Sequence, residues 1–162
     1  PLKTVKYALQ VAKGLNKYTI LNPAPAVKLD DEIIGHVDLL TPNETELEII
    51  SEIKIENEDD INKAAKKMIE KGVKELIVTL GSKGSLYINE EKSFFKPAYT
   101  VEAVDTTAAG DSFTGALAVS LSNNKTMEEA MDFASKVGAL SVMKEGAQSS
   151  LPTLKDVENF GR

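Results

Sequence analysis

The segment Glu75–Gly81, ELIVTLG, constrains the fold more than any other part of the chain. It is an almost unbroken apolar, β-prone run, the pattern of a strand covered on both faces, and such strands belong to parallel sheets wrapped by helices. Parallel strands need crossover connections, so helices must flank this segment in sequence. Before it, Asn57 with Glu58, Asp59 and Asp60 forms a helix start whose acidic first turn suits the helix dipole. Ile61, Ala64, Ala65, Met68 and Ile69 then make one apolar stripe, and Gly72 closes the helix. Further upstream, Val5, Ala8, Leu9 and Ala12 follow helical spacing to Gly14, while residues 18–22 (YTILN) and 37–43 (VDLLTPN) are short β-rich runs, the second stopped by Pro42. Downstream, the chain alternates from Ser85 and turns at NEEK, the mark of short antiparallel strands. Two helices follow, one with Phe113, Ala116 and Leu117 on a single face and one opened by Thr126 and Glu129 in capping-box spacing. A short last helix after Pro152 is capped by Thr153. Alternating strands and helices, without repeat, low-complexity tract or linker, predict one α/β domain built on a doubly wound, mostly parallel sheet.

Composition removes several function classes. The 162 residues include no cysteine and one histidine, which excludes disulfides and thiolate metal sites and leaves little material for histidine-rich sites or a Ser-His-Asp triad. His36, ahead of a buried run, reads as structural or surface-exposed. A net charge of −6 argues against nucleic-acid partners, which need a broad basic surface, so any bound polyanion is held locally. No apolar run reaches membrane-spanning length and no signal peptide opens the chain, so no membrane partner and a cytoplasmic location are expected. The first residue is proline rather than methionine, which suggests a fragment or a processed product. Met68, Met127, Met131 and Met143 fall in predicted helices and read as core packing.

In doubly wound sheets ligands sit beyond the carboxyl ends of the strands. The polar or glycine-bearing exits at Asn22, Asn43, Gly81 and the segment DTTAAGD, residues 105–111, are therefore the candidate site positions. The small residues Ala108, Ala109 and Gly110 let an anion approach the unpaired N–H groups of a helix first turn, and Asp111 at the rim could face a hydroxyl while those N–H groups face a phosphoryl group. That arrangement suits phosphoryl transfer, where positioning and charge stabilisation do most of the catalysis. Spacing alone leaves a second reading open, in which Asp111 is a plain N-cap. Asn43 and Glu46, three residues apart, likewise read either as ligand groups or as a helix cap with a solvent-facing glutamate, and GSKG (residues 81–84) as a nucleotide loop or a tight turn between strands. The latter lacks the spacing of a Walker P-loop.

Five blocks, NPAPA, TPNETE, VTLGSKG, DTTAAGDSFTGAL and KEGAQSS, together resemble the ribokinase-like (PfkB) sugar kinases in order and spacing, over residues 22–150. The resemblance implies a three-layer αβα, Rossmann-like sheet of which this chain holds the carboxy-terminal nucleotide-binding and catalytic portion, with the N-terminal part and the lid missing. It makes Asp111 the catalytic base and Ala108, Ala109 and Gly110 the anion hole. Asn43 and Glu46 would contact phosphate and organise Mg2+ with water, and Asn22 would take a phosphate-side role. Thr79, Gly81, Ser82, Lys83 and Gly84 would form the ATP loop. Ser135 falls near the adenine, where the family often has asparagine, a departure that touches the base contacts. Asp105 and Thr107, with Ser141, Lys144, Gly146 and Ser150, match the two loops that hold a monovalent cation, commonly K+. The activity implied is ATP-dependent phosphorylation of a sugar hydroxyl, D-ribose to D-ribose 5-phosphate foremost, with fructose or deoxyribose as alternative sugars. The isolated chain is expected to be inactive and at most a nucleotide-binding module; a small Rossmann-like regulator or ligand receptor is the third option. Family dimers form through the lid, so a homodimer is an expectation for the full-length protein only.

Overall fold

Glu75–Thr79 is a strand in the structure, a computed structural model that describes residues 1–161. Among these residues the helices are α1 Leu2–Gly14, α2 Asp31–Ile34, α3 Glu44–Ser51, α4 Glu58–Glu70, α5 Ala109–Ser122, α6 Met127–Ser141 and α7 Leu154–Asn159. The strands are β1 Ile20–Leu21, β2 Leu39–Leu40, β3 Glu75–Thr79, β4 Gly84–Asn89 and β5 Ser93–Pro97, with a 3-10 turn over Gly81–Lys83. They form one five-stranded sheet in the order β1-β2-β3-β4-β5, so the architecture is the expected mixed αβα one. The chain divides into two compact units, Pro1–Leu80 with Leu86–Phe95, and Gly81–Ser85 with the residues from Lys96 on. No helix of the described residues is long and apolar enough to cross a membrane.

In the first unit β1, β2 and β3 run parallel, with Ile20 opposite Leu39 and Leu40 opposite Leu76. The apolar run reads as expected: Leu76, Ile77 and Val78 have no exposed surface, nor have Leu39 and Leu40. α4 lays its predicted stripe on this core, with Ala64, Ala65 and Met68 completely covered, and Asn57 caps it by accepting the Asp60 N–H at 3.1 Å. Each fully covered leucine, isoleucine, valine or methionine here contributes roughly 1.5–3 kcal/mol by leaving water.

Asp38, just before β2, fastens the starts of three strands. Its carboxylate, 3% exposed, meets Lys13 at 2.6 Å and Lys74 at 2.8 Å. It also accepts from Thr19 N–H and Thr19 Oγ1, both at 2.9 Å. The Asp38 carbonyl accepts the Glu75 N–H at 2.9 Å. Burial alone would raise the carboxyl pKa, but the lysine and threonine hydrogen bonds override it and hold the group well below the usual carboxylate range.

In the second unit α5 packs on α6, and Phe113, Ala116 and Leu117 on the one and Ala130, Met131 and Ala134 on the other are buried. Asp132 gathers Lys96, Lys136 at 3.1 Å and the Tyr99 hydroxyl at 2.8 Å. Gly84 has φ +132°, and a Cβ built there would lie 2.1 Å from the Lys96 carbonyl oxygen, so no other residue fits.

The structure departs from the expected boundaries at several points. The runs at 18–22 and 37–43 give only two-residue strands, because Pro23 and Pro42 cannot donate to a ladder, and β2 resumes as a single bridge from Asn43 to Thr79. α2 is too short to show a period and is fixed instead by Asp30, which accepts the Ile33 N–H at 2.8 Å. Met143 lies beyond α6 and is 42% exposed, and Met127 is half-buried, so only Met68 and Met131 pack the core as read. His36 is structural: its Nδ1–H donates to the Glu32 carbonyl at 2.6 Å.

Candidate functional site

The candidate residues of the first unit gather at strand ends. Asn43 pairs with Thr79 across a parallel bridge, and the Thr79 N–H donates to the Pro42 carbonyl at 2.9 Å. Asn43 caps α3: its Oδ1 accepts the Glu46 N–H at 2.8 Å, and Glu46 Oε2 accepts the Asn43 N–H at 2.8 Å. This reciprocal capping box is the structural alternative raised from sequence, and it leaves Glu46 Oε1 outside the box. Asn43 is exposed and Glu46 half-buried, so both face solvent while holding the helix start. Asn22 is half-buried where β1 ends.

In the second unit Gly81, Ser82 and Lys83 are exposed in the 3-10 turn, and the Lys83 carbonyl accepts the Ala98 N–H at 3.1 Å. The two glycines of GSKG serve different ends. Gly84 is required by the neighbouring backbone at Lys96, whereas Gly81, at φ +57°, has open space where its Cβ would be. Ser135 is half-buried on α6, three residues after Asp132.

The helix mouth differs from the plain-cap reading of Asp111. The N-cap of α5 is Ala108, with Asp111 the third helical residue, exposed on the first turn. Ala108 holds φ 60° and ψ 11°, a left-handed conformation that costs a non-glycine residue on the order of 1 kcal/mol. No side chain caps α5, whereas Asp30, Asn43, Asn57, Thr126 and Thr153 cap α2, α3, α4, α6 and α7. The Ala109 N–H donates to the Thr106 carbonyl at 3.2 Å. The Gly110 N–H finds no acceptor among the described residues, and a Cβ on Gly110 would meet nothing within 4 Å. An uncapped mouth of this kind presents partial positive charge and an open backbone donor beside a carboxylate.

The two loops matched to a cation site are tied together. Asp105 accepts the Thr107 N–H at 2.8 Å through one carboxylate oxygen and the Gly146 N–H at 2.9 Å through the other. The Thr107 side chain foremost, then the Gly146 and Thr107 N–H groups, hold the Asp105 carboxyl below the ordinary range. Val104 and Asp105 N–H groups both reach the Val142 carbonyl, at 2.7 and 3.1 Å. Ser141 and Ser150 are completely buried; Ser141 Oγ lies 2.8 Å from the Gly138 carbonyl oxygen, and the Ser150 hydroxyl donates to the Ala147 carbonyl at 2.9 Å. Lys144 is exposed. Sequence reasoning missed Asp38, whose role rests on Lys13 and Lys74 far away in sequence, and Ser112, hidden behind the more conspicuous Asp111.

The pfkB family carbohydrate kinase profile matches residues 1–154. A ribokinase of Haemophilus influenzae is 41% identical over 160 residues, which cover 99% of this chain and 52% of that protein. A deoxyribokinase of Salmonella typhi is 38% identical over 98% of this chain and 52% of its own length. The solved structure of Arabidopsis thaliana ribokinase complexed with ribose and ATP superposes with a TM-score of 0.94 at 34% identity, covering 98% of this chain and 52% of that one. The chain thus spans about half the length of the relatives it matches. With a family profile over nearly all of its residues and the matching fold, the chain belongs to the pfkB family of carbohydrate kinases.

Proposed function

We propose that a polypeptide of the relatives' length carrying this sequence transfers the terminal phosphoryl group of ATP to a sugar hydroxyl, D-ribose to D-ribose 5-phosphate foremost, and that residues 1–162 are its carboxy-terminal nucleotide-binding and catalytic portion. The observation that carries the proposal is the mouth of α5, where a Gly110 N–H without an acceptor among the described residues, open space at the Gly110 Cβ position and the exposed Asp111 share one helical turn. In this reading the Gly110 N–H, with Ala108 and Ala109 framing it, faces the phosphoryl group in flight, and Asp111 accepts the hydroxyl proton. Gly81, bare of Cβ contacts, lets main chain lie against the nucleotide together with Thr79, Ser82, Lys83 and Gly84, and Ser135 faces the base.

The donor chemistry fits both proposed ions. Mg2+ is commonly held by one or two oxygen-bearing side chains together with waters and substrate phosphates. Asn43 and Glu46 supply such hard oxygens, and Mg2+ when bound would neutralise phosphate charge. For K+, Asp105, Thr107, Ser141, Lys144, Gly146 and Ser150 offer an all-oxygen set of carboxylate, hydroxyl and backbone carbonyl groups.

The test is ADP formation by the full-length polypeptide with a panel of ribose, deoxyribose and fructose, with and without K+. Ribose-selective turnover raised by K+ is the expected result. The likeness to a deoxyribokinase favours deoxyribose as the second candidate. Tight ATP binding with no turnover on any sugar would replace the proposal with a non-catalytic nucleotide-binding module.

A further inference from the structure

Two buried hydroxyls join the first turn of α5 to the last turn of α6. Ser112 is 6% exposed and Ser141 not at all, and their Oγ atoms lie 3.1 Å apart. Ser112 Oγ also lies 2.9 Å from the Ala109 carbonyl oxygen, and Ser141 Oγ 2.8 Å from that of Gly138. Two hydroxyl protons serve three contacts, so one serine donates across the interface while the other donates to its own helix. Either order makes a continuous relay, from Ser141 through Ser112 to the Ala109 carbonyl or from Ser112 through Ser141 to the Gly138 carbonyl.

The same part of the chain is tied to α5 a second time. The Val142 carbonyl accepts the N–H groups of Val104 and Asp105, and the Gly146 N–H donates to the Asp105 carboxylate. Residues 141–146 therefore hold the loop that enters α5 and, through Ser112, the first turn itself. A serine that only bonded back to its own helix would satisfy its proton with no partner across the interface. Here both serines are buried on helices whose other buried residues are mostly apolar, where a hydroxyl is retained only if it is satisfied.

We infer that Ser112 and Ser141 are a positioning pair, whose hydroxyl bridge fixes the turn carrying Gly110 and Asp111 and couples it to residues 141–146. The functional side of this inference rests on the kinase reading, since placement errors well under 1 Å become rate losses only if that turn orients a reaction. Each single alanine variant removes the cross-helix contact but leaves the remaining serine bonded to its own helix carbonyl, so neither strands a buried donor.

The experiment compares Ser112→Ala, Ser141→Ala, the double variant and Ser112→Thr. In the full-length polypeptide, each single variant is expected to lower kcat about fivefold, the factor that one net hydrogen bond carries, with KM for ATP moving less than about twofold. The double variant should lose no more than the worse single, and Ser112→Thr, which keeps the hydroxyl, should recover kcat. In the 162-residue chain, amide exchange in residues 105–112 should quicken while residues 114–122 are unchanged. Unchanged kcat and unchanged local exchange in Ser141→Ala, or additive losses in the double variant, would overturn the pairing even if Ser112→Ala failed to fold. Absence of turnover in the unaltered polypeptide would remove the kinase reading alone, because the exchange pattern still decides whether the bridge holds the turn.

Discussion

Replacing Gly110 by alanine separates what the fold needs from what the chemistry needs. Gly110 is the second residue of α5, outside the left-handed region, and a Cβ there would touch nothing within 4 Å. Nothing in the packing asks for glycine. Alanine is the better helix former by about 1 kcal/mol in a helix interior and restricts the unfolded chain, so at this first-turn position the variant should be stabilised by about 0.5 kcal/mol. The added methyl, however, occupies the space beside the Gly110 N–H, which has no acceptor among the described residues and where the transferring phosphoryl group is placed in the proposal. Losing one such backbone donor costs about a hundredfold or more in kcat. The assay pairs urea unfolding followed by far-UV circular dichroism with steady-state phosphoryl transfer. Raised stability with sharply reduced turnover is the expected pair of results. Stability lowered by more than about 0.5 kcal/mol, or turnover within threefold of the unaltered protein, would refute the reasoning that this glycine exists for an anion rather than for the helix.

Three other substitutions follow from the geometry. Gly84→Ala should destabilise by about 3 kcal/mol or more, since it combines a positive φ with a Cβ 2.1 Å from the Lys96 carbonyl oxygen, and thermal unfolding will read it. Asp38→Ala should cost about 3–5 kcal/mol in urea, because it removes the shared partner of Lys13, Lys74 and Thr19. The folded-state pKa of Asp38 is depressed, so its contribution is full above the unfolded value near 4 and is lost as pH falls below it; Asp38→Asn should flatten that part of the acid unfolding profile. Glu46→Gln should leave stability within about 0.5 kcal/mol, as glutamine completes the capping box equally well, yet lower turnover by weakening Mg2+ organisation, seen as a raised Mg2+ requirement.

What could be read from the sequence was local. The α4 stripe, the caps at Asn57, Thr126 and Thr153, the turn at NEEK and the buried strand ELIVT all carry their cause within a few residues, and all appear where the pattern puts them. The strand lengths at β1 and β2 were harder, because one bridge between Asn43 and Thr79 depends on where a distant strand ends. The glycines of GSKG looked alike in sequence, and only the crossing at Lys96 separates Gly84, held by packing, from Gly81, which faces open space. Asp111 looked like the residue that opens α5, but Ala108 in a left-handed turn begins the helix three residues earlier than a carboxylate cap at Asp111 would. Asp38 and the Ser112–Ser141 pair gave no local signal, since each takes its meaning from partners brought close by folding.

The most direct measurement is phosphoryl transfer from ATP to ribose by Asp111→Asn in the full-length polypeptide, read beside ATP affinity by calorimetry. Turnover reduced by about 10²- to 10⁴-fold, with ATP affinity held within a few-fold, is the predicted outcome for a residue that accepts the hydroxyl proton at an intact helix mouth. Turnover within fivefold of the unaltered protein would contradict the placement of the chemistry at the first turn of α5.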